Sequence, residues 1–107
     1  MRRFRDLDGP AAPPRKGWLV GVLVRAPGEA EPVRQFYAVG LDDRARAEWA
    51  AADSAIQTGD IASSPHRGVE PVEAMVLLGP GAFAWSGLKA GEVRALGFKW
   101  PRRWLVG

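Results

Sequence analysis

Asp60, Ser63, Ser64 and His66 fall within seven consecutive residues and bring together the side-chain types of a nucleophilic triad. In such a triad the histidine takes the serine's proton and a carboxylate orients the histidine, so the members must converge from separate elements. Four groups strung along one loop do not meet that condition, and loop polarity accounts for them. His66 is the only histidine and the chain has no cysteine, which argues against a histidine-based or thiolate metal site.

The other candidate chemistry resolves in the same way. Gly79-Pro80-Gly81-Ala82-Phe83-Ala84 fits the spacing G-x-G-x-x-A, with which a backbone approaches a pyrophosphate at a helix N-terminus. Pro80 removes one of the amide donors that such a loop needs, so a plain turn is the better account. Asp42 and Asp43 precede an apolar periodic stretch, where carboxylates cap a helix and answer its dipole without any catalytic duty. Glu70 and Glu73 differ by an odd number of positions, so on a strand they would face opposite sides and form no acid–base pair. No catalytic residue and no cofactor follow from these patterns.

Aromatic and basic side chains interleave in Lys99-Trp100-Pro101-Arg102-Arg103-Trp104. Trp100 and Trp104 with Arg102 and Arg103 suit base stacking with phosphate contacts. They suit better an apolar tail that seals a sheet face and leaves its cations in water, and contact with a membrane surface is the third reading.

These residues need elements to position them, and residues 17–56 organise the rest. Trp18, Val20, Val22 and Val24 alternate with Leu19, Gly21 and Leu23, the period of a strand. Turn residues in 26–32 precede a second alternating run, Val33 to Val39, so the two form an antiparallel hairpin. Leu41, Ala45, Trp49, Ala52 and Ile56 then recur at spacings of four, four, three and four, which predicts a helix with these residues facing the core. A loop over 57–69 leads to a third strand over Val72–Leu78, and short helical turns are expected at Ala82–Leu88 and Glu92–Leu96.

The helix returns the chain, so the third strand runs parallel to the second and antiparallel to the first, which it should border. The expected fold is α+β: a three-stranded sheet of order 2-1-3, one long amphipathic helix on one face and short C-terminal helical turns. It is half of a split β-α-β arrangement. Trp18, Val20, Val22, Val24, Val39 and Val76 would face the helix, and Leu19, Leu23, Phe36, Met75 and Leu77 the opposite side. One helix cannot cover both faces, so the C-terminal segment or a second chain must cover the other.

At 107 residues the chain suits one α+β domain over 17–107 behind an extended basic lead-in over 1–16. Its apolar runs are too short to span a bilayer. Arg2-Arg3 is followed by acidic residues and prolines rather than an apolar stretch, so neither membrane insertion nor export is expected and the cytoplasm is the expected location. The net charge of +3 is uneven: residues 1–16 and 99–107 carry +3 each and the body between them −3. Attraction to a polyanion therefore belongs to the two ends. The function expected is a non-catalytic interaction module that self-associates, or binds a protein partner, through Leu19, Leu23, Phe36 and Met75. The alternative is nucleic-acid binding through the basic termini, with Trp100, Arg102, Arg103 and Trp104 in contact.

Overall fold

A computed structural model describes residues 16–79, 81 and 87–98. Among them the element order is β1 (Gly17–Arg25), β2 (Val33–Val39), α1 (Arg44–Ala55), β3 (Asp60–Ile61), β4 (Val72–Leu78) and β5 (Val93–Gly97). The α+β class and the one long helix are as expected, but the sheet of the described residues has five strands rather than three. β1 is its central strand. β2 pairs with one edge of β1 and β5 pairs with β2; β3 and β4 share the other edge of β1, one after the other. All these pairings are antiparallel; the order 2-1-3 of the three expected strands holds, with β5 added outside β2 and β3 added beside β4 on the same edge of β1.

β3 lies where a loop was expected. Its two residues pair with Val24 and Arg25, the Ala62 N–H donates to the Leu23 carbonyl at 3.0 Å, and the Leu23 N–H donates to the Pro71 carbonyl at 2.8 Å. The chain thus leaves the edge of β1 at residue 62 and rejoins it at residue 71. β5 replaces the helical turn expected at Glu92–Leu96. Five residues with Gly91 before and Gly97 at the end are too few to sustain a helix. The strand is instead continued by backbone bonds of Gly40 to Glu92 (2.8 Å) and from Gly91 to Gly40 (2.7 Å), which extend the β2 ladder.

The start of α1 follows from local chemistry. Asp43 has extended backbone angles and its carboxylate accepts the Arg46 N–H at 2.9 Å, the bond of an N-cap. The Trp18 indole N–H donates to the Asp42 carbonyl at 2.9 Å, which ties the helix entry to β1. The face that α1 buries differs from the expected one. Ala47, Ala51 and Ala55 are fully buried against Val20, Val22, Val24, Tyr37, Val39 and Ala74. Trp49 is 73% exposed and Ile56 61% exposed. Alanine at every fourth position allows the helix axis to lie close to the sheet, where an indole could not fit.

On the other side of the sheet Leu19, Phe36, Ala38, Leu78 and Leu88 form a second buried cluster, joined by Met75, Val76 and Leu96. β4 changes sides partway along. Its register with β1 shifts between Leu19 and Val20, so Leu19 faces Val76 while Val20 faces Ala74, and Met75 is the extra residue of a bulge. Val76 therefore packs on the second side, not against the helix, and Leu77 is 53% exposed rather than buried there. Arg34 crosses β1 at Gly21: a Cβ there would stand 2.8 Å from the Arg34 Nε, so the Arg34 side chain would have to shift. The Ala82–Leu88 turn lies outside the described residues except for its last two.

Candidate functional site

Two surfaces gather functional side chains. The first is an open polar pocket of about 330 Å³ beside the start of the 62–71 excursion, lined by Arg25, Asp60, Ser63, Ser64 and His66 among others. The loop does bring together the residues of triad type, but it pairs them otherwise. Asp60 lies 3.6 Å from Arg25, and His66 Nε2 lies 3.3 Å from Glu31, which also meets Arg67 at 3.2 Å. Neither serine donates a hydrogen bond to His66 among the described residues.

His66 and Val69 exchange backbone hydrogen bonds of 2.9 and 3.0 Å around Arg67 and Gly68, whose φ values are 53° and 79°. Positive φ at both central residues is the geometry of a tight hairpin turn, which Gly68 adopts freely and Arg67 under modest strain. Glu31, with Arg67 and His66 beside it, links this turn to the β1–β2 connection. Carboxylates already facing cations at an exposed surface are poorly placed as general bases, so the pocket is a polar brace.

The second surface is the outer side of α1. An open recess of about 280 Å³ runs between the helix and β4, lined by Ala45, Glu48, Trp49, Ala52 and Val72. Glu48 forms its floor on the sheet side: the carboxylate accepts the Ala74 N–H at 2.8 Å and lies 3.7 Å from Arg44. Arg44 in turn sits 5.9 Å from the Trp18 ring. The amide of an edge strand is thereby closed by a helix side chain, and the recess is left mainly apolar. Trp49 stands beside it with most of its surface in water.

Four of the residues expected to bind a partner lie in the described part of the chain. Leu19, Leu23 and Phe36 are 0%, 3% and 5% exposed, and Met75 is half-buried. Leu19, Phe36 and Met75 belong to the cluster that Leu78 and Leu88 complete, so that part of the sheet is closed within one chain. Trp100, Arg102, Arg103 and Trp104 lie outside the described residues. Trp49 and its recess were missed because a tryptophan at helical spacing was assigned inward. The signal that finds them is the competing series Ala47, Ala51, Ala55, spaced as regularly and able to pack more closely.

Among the described residues no three His, Asp or Glu side chains converge as metal ligands would, and no helix is long and apolar enough to cross a membrane. No protein-family model, curated protein or solved structure matches the chain.

Proposed function

We propose that the protein is a non-catalytic interaction module that docks to another polypeptide through the outer side of α1. The observation that supports this is Trp49, 73% exposed beside an apolar recess on a helix whose other side is fully packed. Exposed tryptophan is unfavourable in water and is enriched at the energetic centres of interfaces, where it fills an apolar pocket. The surroundings have the arrangement of a docking patch: small Ala45 and Ala52 permit close approach, and exposed charges on α1 form a polar rim.

The test is site-specific photocrosslinking in the producing cell, with a benzophenone amino acid replacing Trp49 or, as control, Arg67 on the polar brace. A discrete crosslinked protein from position 49 and none from position 67 is the expected outcome. Equal yields at both positions, or none at 49, would sink the docking surface. A product containing nucleic acid instead of protein would favour the basic-termini alternative.

A further inference from the structure

We infer that the occupant of the α1 surface is a second copy of this chain, packed as an antiparallel helix pair about a two-fold axis between Trp49 and Ala50. This rests on the docking surface proposed above and names its partner. The charge layout of the helix carries it. Arg46 and Asp53 are both exposed on the same outer side as Trp49, two turns apart, or about 10 Å. Neither forms an ion pair among the described residues, whereas Arg44 is already engaged by Glu48. One opposite-charge pair at equal distances either side of a centre is complementary to itself when the helix is reversed. The two-fold sets each Arg46 against Asp53 of the second copy, and does so twice. A parallel pairing sets like charges together and is disfavoured.

The apolar side chains fit the same operator. Helical side chains lean towards the N-terminus, so the Trp49 indole of each copy lies over Ala52 of the other, where a methyl group leaves it room. The two indoles then bury one another's faces, and each closes part of the recess that Ala45, Ala52 and Val72 line. The area is limited. A helix of 12 residues is about 18 Å long, and contact along one such helix stays below the roughly 1,200 Å² of stable complexes. The dimer is therefore weak, with a Kd of about 10–100 μM, and exchanges with monomer at ordinary concentrations.

The experiment is sedimentation velocity with multi-angle light scattering on the full chain from about 1 μM to 1 mM, tens of times either side of that Kd. Trp49→Glu, Arg46→Asp, Asp53→Arg and the double exchange Arg46→Asp/Asp53→Arg are compared, with circular dichroism confirming that each folds. The mass should rise with concentration from one chain towards two. Trp49→Glu should stay monomeric. Each single reversal places two like-charge pairs across the axis and should weaken association about tenfold or more, with high salt reducing the difference. The double exchange should restore the unmodified affinity.

A monomeric chain at every concentration overturns the second-copy inference and leaves the docking surface to the crosslinking test. Self-association unaffected by Trp49→Glu likewise overturns the second-copy inference and leaves the docking surface to the crosslinking test. Loss in Trp49→Glu without recovery in the double exchange overturns the antiparallel arrangement alone.

Discussion

The two sides of α1 reverse the usual relation between size and burial. The inward side is built from alanines with no exposed surface, and the outward side carries a tryptophan and an isoleucine more than half exposed. Both sets repeat near helical spacing, so periodicity alone does not choose between them. Clearance does. Val20, Val22, Tyr37 and Val39 already fill the space above the sheet, and a helix can settle on them only through methyl groups. What decides the orientation of an amphipathic helix here is the volume its neighbours leave free, not the hydrophobicity of its largest residue.

The contrast can be broken most directly from the inside. Ala51→Leu adds bulk where the helix meets the sheet and should cost about 2–3 kcal/mol, measured by urea denaturation; a neutral result would mean the helix stands further off than these contacts indicate. Glu48→Ala removes the acceptor of the partly buried Ala74 amide and should cost about 1–2 kcal/mol. Faster hydrogen exchange at the Ala74 amide would mark the cause, and unchanged exchange would contradict it. Trp49→Ala, by contrast, should change monomer stability by less than about 0.5 kcal/mol at low concentration, since little of the indole is packed. A loss of 3 kcal/mol or more would restore the inward assignment of this residue.

The last prediction has no effect near neutral pH. Tyr37 is buried on the helix side, and burial raises its phenol above the ordinary value, opposed by the smaller effect of its hydrogen bond with Thr58. The folded state therefore holds the proton more tightly than the unfolded one. The associated stability is fully present below the unfolded value of about 10 and is lost as pH rises through the folded value. Tyr37→Phe should flatten this alkaline decline; an equal slope in both proteins would show that Tyr37 does not contribute.

The central part of the fold was legible because its signals are local. Alternation in 18–24 and 33–39, turn residues between them and Asp43 before the helix each act within a few positions, and the hairpin, the cap and the order 2-1-3 follow from them. The remainder depends on partners distant in sequence. β5 and β3 are too short for periodicity to reveal, and exist because β2 and β1 offer them unpaired backbone groups. The polar pocket was partly legible: its residues adjoin in sequence, but Glu31 and Arg25, which pair with His66 and Asp60, come from another connection and from β1. The Trp49 surface was hidden by a correct period joined to the wrong face.

The bulge at Met75 has a consequence for how the gene can change length. Upstream of it, Val72 and Ala74 look towards α1; beyond it, Val76 and Leu78 look the other way. Met75 therefore works as a phase shifter between two halves of one strand. Losing that single codon would remove the bulge and leave the faces as they are: Val76 would follow Ala74 directly, still opposite Leu19, and Leu78 would stay in the second cluster. The strand would then alternate without interruption, with Leu78 still beside Leu88, at the cost of the Met75 side chain that packs against that cluster. Elsewhere in β4 a change of length alters which layer each following side chain joins, so other insertions and deletions are better accommodated at the protruding Arg67-Gly68 turn.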